Sequence, residues 1–397
     1  MSSAHSIAIN PSLLAWAREE GGYAVEHIAH RLRVKQEYVL AWEKGVRQPT
    51  LRQLEQLAKF LHRPLGVFFL PQPPHLPPLA GEYRRLPEVR PGHESPELRL
   101  ALRRMIARRE QALNLMEELG EPIPEFALRA QCTESPAEVG ARIRQALGLE
   151  IETQLSWPDE WHAWNSWRAA AEQLGILVFQ FTKVALDEVR GLALLRSPLP
   201  VVAINGREFP DAKAYTLFHE VVHIMLALAH EEEPALKESR SASAWKDVER
   251  FAEAAASHVL VPEAALKRMV QTLGLQAASW DLDRVRQLAK KFRLTPLAMA
   301  TRLRESGLMT WAQYNRWRAD WTAYVEKLPP RKGGFATPAA KAVNRAGRPF
   351  VQLVLEGLAA NRISSADAAR YLDLKFQHFN ELRTNLLQNP AIGSFDD

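Results

Sequence analysis

The chain has 397 residues, 47% hydrophobic and 24% charged, with 51 Lys+Arg against 46 Asp+Glu and a formal net charge of +5. This length suits two or three domains with real cores, and the composition is that of an ordinary globular protein; the small positive excess is compatible with nucleic acid but does not establish it. A lone Cys132 excludes a disulfide framework and a cysteine-based metal site, and no apolar run approaches the roughly 18 residues of a membrane span. The start Met1-Ser2-Ser3-Ala4-His5 lacks the basic and apolar stretches of an export signal, so a cytoplasmic protein with no membrane contact is expected.

Residues 1–71 read as a small helical bundle, with apolar spacing over Ser12–Glu20, Val25–Leu32, Gln36–Trp42 and Leu51–Leu61. Pro71-Gln72-Pro73-Pro74 and Pro77-Pro78 then open a stiff linker, and residues 72–150 form a connector containing an arginine-rich helix from Pro96 to Leu119. Its Arg99, Arg103, Arg104, Arg108 and Arg109 are expected to form a solvated face rather than a phosphate-binding row.

Residues 151–310 make the next expected domain. A helix over Trp157–Leu174 carries Trp157, Trp161, Trp164 and Trp167 at three- and four-residue spacing, an expected core stripe. Strands come next over Ile176–Phe181, Val189–Leu195 and Leu199–Ile204. They lead into an apolar helix expected to begin near Asp211, a capping residue type.

That helix contains His219-Glu220-Val221-Val222-His223. Residues four apart stand one turn above each other on a helix, so His219 and His223 can hold one cation while Glu220 reaches water beside it. An all-round apolar helix is a buried one, and three titratable groups inside it need a partner; zinc is the economical choice. Catalytic zinc takes a third protein ligand. His230 lies seven residues after His223 without the glycine turn of the longer histidine motif, and Glu231-Glu232-Glu233 reads as surface loop. Val248, Phe251, Ala252, Ala255, Ala256, Val259 and Leu260 define an inward-packing helix whose margin carries Glu249 and, one turn on, Glu253. Periodicity leaves both carboxylates open as the ligand, with Glu249 ahead, and puts His258 on another face.

Strands leading into a buried motif helix indicate an α+β, predominantly helical fold: a small all-α bundle, a zincin-like domain with a short sheet and the H-E-x-x-H helix, and a helical extension over residues 311–397. A peptide could add to the edge of such a sheet as another strand. The turn-like Pro329–Gly334 divides the helical remainder. Arg284–Arg304 and Ser364–Leu382 faintly resemble helix-turn-helix pairs and are treated as ordinary hairpins.

At these residues the chain resembles the ImmA/IrrE family of metallopeptidases, whose H-E-x-x-H helix is succeeded by one ending in L-M/V-P. The counterpart is Glu249-Arg250-Phe251-Ala252-Glu253 through Val259-Leu260-Val261-Pro262. The resemblance implies Glu249 as the third zinc ligand and puts Glu253 where the family has Asn, leaving it a second carboxylate able to ligate or to hydrogen-bond a ligand. Residues 11–70, with Ile28-Ala29, Trp42-Glu43 and Pro49-Thr50, are similar to an XRE-type helix-turn-helix. In such a module Lys35 and Gln36 would face bases and Arg31 and Arg33 phosphates. Val25 stands where a glutamine commonly braces DNA, so a docking or dimerising bundle is the competing expectation, a homodimer among its outcomes.

The resemblance implies a zinc endopeptidase with Glu220 as general base, acting on a protein such as a helix-turn-helix repressor or antitoxin. Tyr215, one turn before His219, is a conceivable oxyanion donor. The alternative is a DNA-binding regulator whose metal is structural; the general base Glu220, which a structural zinc does not need, favours hydrolysis.

Overall fold

A computed structural model describes residues 9–75, 94–229, 242–275, 280–328 and 336–388. Pro77-Pro78, His230 with Glu231–Glu233, and the Pro329–Gly334 turn lie outside them. The chain divides into two compact units, residues 1–82 with 86–104, and 83–85 with 105–397.

The first unit contains α1 (Pro11–Glu20), α2 (Val25–Leu32), α3 (Gln36–Glu43) and α4 (Leu51–Phe60), then a 3-10 turn over Leu65–Phe69. Local chemistry sets the helix starts. The Asn10 side chain accepts from the Ser12 N–H with Pro11 behind it, and Thr50 and Gln53 cap α4 reciprocally. Leu13, Leu14, Ile28, Val39, Trp42, Leu54, Leu57 and Phe68 form the core. Arg18 donates to the Glu43 carboxylate at 2.6 and 2.9 Å. The long helix α5 (Pro96–Leu119) contributes its first turns to this unit.

Here the expected solvated arginine face is corrected. Arg103 and Arg63 both donate to the Glu20 carboxylate, and Arg99 donates to Glu94 Oε2 (3.2 Å) and the Glu19 and Glu20 carbonyls. Further along α5, in the second unit, Arg109 is buried and donates to the Leu199 carbonyl (3.0 Å) and to that of Pro198, and Arg108 donates to the Arg345 carbonyl. Of the row only Arg104 is exposed. The acceptors lie far away in sequence, so no local pattern announces them.

The second unit continues with α6 (Pro136–Leu147), α7 (Ile151–Ser156) and α8 (Glu160–Gln173), then β1 (Leu177–Phe181), β2 (Gly191–Leu194) and β3 (Val201–Asn205). After the sheet come α9 (Pro210–Leu228), α10 (Ala242–Leu260), α11 (Glu263–Thr272), α12 (Leu282–Phe292), α13 (Pro296–Glu305) and α14 (Trp311–Glu326). Last are α15 (Pro338–Ala346), α16 (Arg348–Ala359), α17 (Ser365–Leu372) and α18 (Phe379–Gln388).

The predominantly helical α+β class is observed. The sheet has the order β1-β3-β2, with β1 parallel to β3 (Val178 beside Val202) and β2 antiparallel (Leu192 beside Ala203). All three strands are buried along their whole length, which accounts for their continuous apolar runs. The outer edge of β1 is occupied: Arg168 on α8 donates to the Val178 carbonyl and, at 2.9 Å, to that of Asn344 on α15. A covered edge strand no longer offers free carbonyls to other chains. β2 is the other edge and packs against α9.

Two local expectations change. α9 begins at Pro210, so Asp211 sits in its first turn rather than capping it. Trp157, Trp164 and Trp167 are core residues, whereas Trp161 is 53% exposed, its ring 5.6 Å from the Lys213 ammonium. α6, which the periodicity did not pick out, packs on α10, where Gly140 lets the backbone approach His258: a methyl there would lie 2.6 Å from the His258 Cβ.

Candidate metal centre

α9 is hydrophobic nearly all round, and Leu217, Phe218, Val221, Val222, Ile224, Met225 and Leu226 are completely buried. The helix therefore delivers its polar residues into the interior. His223 is wholly buried and Glu220 is 2% exposed. α10 lies alongside, its own apolar face (Val248, Ala252, Ala255, Ala256, Val259) turned inward and Glu249 half-buried at the margin.

Three donors converge. His219 Nε2 and His223 Nε2 are 3.2 Å apart, Glu249 Oε2 is 3.4 Å from the first and Glu249 Oε1 is 3.7 Å from the second. The two imidazole rings are 4.7 Å apart at 72°, so both present an edge nitrogen to one point. An ion bound tetrahedrally at about 2.0–2.1 Å from each donor would separate those donors by roughly 3.4 Å. The triangle fits such an ion, and two imidazoles with one carboxylate form a donor set of catalytic zinc sites.

Glu253 stands apart from this triangle. It is exposed, and its backbone carbonyl accepts from Tyr215 Oη at 3.3 Å. Burial, with the Glu253 and Glu305 carboxylates, pushes the Tyr215 phenol up, so it stays a neutral hydrogen-bonding group. His258 is turned elsewhere, its Nδ1 2.9 Å from Arg302; burial and that guanidinium push it down to about 4.

The sheet supports the helix through residues that the motif alone does not reveal. Gly191 opens β2 against α9: a methyl there would lie 2.5 Å from Thr216 Cγ2 and 3.0 Å from Glu220 Cγ and Oε1. A glycine within a strand marks such a close approach, so the signal was present in the sequence. Thr216 Oγ1 donates to Glu208 Oε2 (2.8 Å), and Arg190, beside Gly191, donates to the other oxygen (3.2 Å). Burial raises the Glu208 carboxyl above its ordinary range. Lys213 donates to Gln180 Oε1 on β1 at 2.8 Å and is pushed down to about 8 by its burial.

Gly191→Ala is therefore expected to lower stability by about 1–3 kcal/mol, as overpacking does. Adding Thr216→Ser removes the nearer clash and should recover part of that loss. Chemical denaturation of the two variants checks it; an unperturbed single variant would contradict the contact.

In the first unit Arg31, Arg33, Lys35 and Gln36 are all exposed. Arg33 forms the left-handed turn after α2 (φ 54), Lys35 is the N-cap of α3, and Gln36 begins it. The Arg31 guanidinium lies 5.9 Å from the Phe60 ring. Among the described residues no helix is long and apolar enough to cross a membrane.

Residues 171–304 match the family model described as the IrrE N-terminal-like domain, and residues 14–68 match that of a helix-turn-helix domain. The first match contains α9, α10 and the donor triangle; the second contains α2, its turn and α3. No curated protein matches the chain. The chain carries the ImmA/IrrE architecture with an N-terminal XRE-type helix-turn-helix domain, its IrrE N-terminal-like part being a metallopeptidase-like domain.

Proposed function

We propose that this chain is a zinc-dependent endopeptidase that cuts a specific regulatory protein, a helix-turn-helix repressor or antitoxin being the substrate class that the architecture suggests. The observation that carries the reading is the His219–His223–Glu249 triangle with a buried glutamate next in sequence to one of its histidines. His219, His223 and Glu249 would hold the metal. Zinc, when bound, supplies Lewis acidity that polarises a scissile carbonyl and acidifies water.

The remaining chemistry belongs to the chain. Glu220 takes the proton of the attacking water on its carboxylate and returns it to the leaving amine. Gly191 keeps the edge strand clear of that carboxylate, so a substrate segment pairing along β2 would run beside it. Tyr215, one turn before His219 with its hydroxyl on the Glu253 carbonyl, would offer an oxyanion a hydrogen bond. The N-terminal module brings the peptidase to its target, with Lys35 and Gln36 facing DNA bases and Arg31 and Arg33 facing phosphates.

The test is cleavage of a protein encoded beside this one, read by mass spectrometry of intact masses, with zinc-loaded wild type and Glu220→Gln in parallel. Fragments from wild type alone support the reading. Fragments from both, at equal rate, overturn it.

A further inference from the structure

Arg190 immediately precedes the edge strand β2, and its backbone is tied down. Its carbonyl accepts from the Asn205 N–H at 2.7 Å. The Asn205 side chain is wholly buried and donates to the Val184 (3.2 Å) and Val189 (2.9 Å) carbonyls, fixing the segment that leads into β2. The Arg190 guanidinium donates to Glu208 Oε1 at 3.2 Å, and among the described residues that carboxylate is its one hydrogen-bond acceptor. The Arg190 side chain is nevertheless 64% exposed, while that of Glu208 is 3% exposed.

An ion pair between two exposed side chains contributes little, because solvent competes for both partners. Here the acid is buried, and its second oxygen accepts from Thr216 Oγ1 at 2.8 Å. A buried carboxylate is costly, and a neutral oxygen would serve the Thr216 hydroxyl equally well. The negative charge answers the arginine. Glu208 thus pins one part of the guanidinium and leaves its remaining N–H groups for another partner. A planar fork held in this way is preorganised for a second carboxylate.

Position says whose carboxylate that is. Thr216 lies one turn before Glu220, and a Cβ added to Gly191, the residue after Arg190, would lie 3.0 Å from Glu220 Cγ and Oε1. The anchored guanidinium therefore borders the place where β2 and the general base of the proposed hydrolysis meet. A segment paired along β2 advances about 3.3 Å per residue, so only side chains close to the cut come within reach of an arginine there. We propose, on the basis of the endopeptidase reading above, that Arg190 is a specificity-determining residue: anchored by Glu208, it binds the carboxylate of a substrate Asp or Glu within about two residues of the bond that is cut. Glu208 is a positioning residue that acts through it.

The test is the cleavage profile of the zinc-loaded full chain on peptides from a denatured proteome, with cut sites read by mass spectrometry. Wild type is expected to concentrate Asp and Glu at one position beside the cut. A peptide carrying that site and its Asn or Gln analogue then give the preference as a ratio of kcat/KM, about tenfold or more for a hydrogen-bonded charge pair. Arg190→Ala should bring the ratio close to one, and Arg190→Glu should turn the preference toward Lys and Arg. Arg190→Lys keeps a cation beside the buried Glu208, which guards against misfolding, and should retain only part of the ratio for want of the fork. Glu208→Gln still accepts from Thr216 and should lower the ratio too. Binding is read apart from turnover by fluorescence anisotropy of the labelled peptides with the Glu220→Gln chain, in which adding Arg190→Lys should weaken the acidic peptide more than its amide analogue. Cleavage with no acidic position, or Arg190→Ala and Arg190→Lys chains that keep the full ratio, overturns the assignment and leaves the peptidase reading standing. No cut in the peptides or in the protein encoded beside this one removes the peptidase reading, and this assignment with it.

Discussion

Glu220→Gln is expected to leave the metal bound and to reduce hydrolysis of a substrate by about 10²- to 10⁴-fold, the usual worth of a positioned proton-transfer group. The glutamine keeps the shape of the side chain, and Gly191 leaves just enough room for it, since an added Cβ there would lie 3.0 Å from Glu220 Cγ and Oε1. The substitution thus removes the ability to accept a proton while disturbing little else. Glu220 lies outside the donor triangle, so metal retention and loss of rate should separate cleanly. Single-turnover rates beside metal content measure the two together. A variant that loses its metal as well would recast Glu220 as a structural support, and one with the wild-type rate would remove it from the chemistry.

Arg168→Met should destabilise the second unit by about 3–5 kcal/mol, the cost of breaking a buried ion pair from one side. Arg168 is 7% exposed, donates to Glu172 Oε1 at 3.1 Å, and also serves the Val178 and Asn344 carbonyls. Its loss strands a carboxylate whose side chain is 5% exposed, together with acceptors on β1 and α15. Glu172 is pushed up to about 7 by burial even with the arginine beside it. A raised carboxyl is protonated in the folded chain while the unfolded one has released its proton, so stability falls as pH rises from the ordinary glutamate range through the native value. Removing Arg168 raises the native value further, so the deficit of the variant should grow as pH rises through about 7, where wild type releases the Glu172 proton and the variant still holds it. Combining Arg168→Met with Glu172→Leu should restore part of the loss, because a paired apolar replacement leaves no buried charge. A single variant within about 1 kcal/mol of wild type would contradict this role for Arg168 at the covered β1 edge.

The metal motif was legible because it interrupts an unbroken apolar helix, a context in which titratable side chains carry information. Glu249 was only half legible: the alanine and valine stripe of α10 put both Glu249 and Glu253 at its margin, and the family resemblance, more than the periodicity, favoured Glu249. The arginines of α5 and Trp161 depart from expectation, since charge and spacing report a helix face but not what a distant segment brings to it. Glu20, Glu94 and the carbonyls of Pro198 and Leu199 decide the fate of those arginines, and Lys213 that of Trp161. α6 is hard to read locally because Gly140, unfavourable in a helix by itself, is there to let α10 approach, a tertiary reason that overrides local propensity.

The most direct measurement is the metal content of the purified, dialysed full chain by inductively coupled plasma mass spectrometry, taken for wild type and for His223→Ala. One equivalent of zinc in wild type and almost none once that buried imidazole is gone is the predicted pair of values. Wild type without metal, or a variant that keeps a full equivalent, would show that these three side chains do not grip an ion.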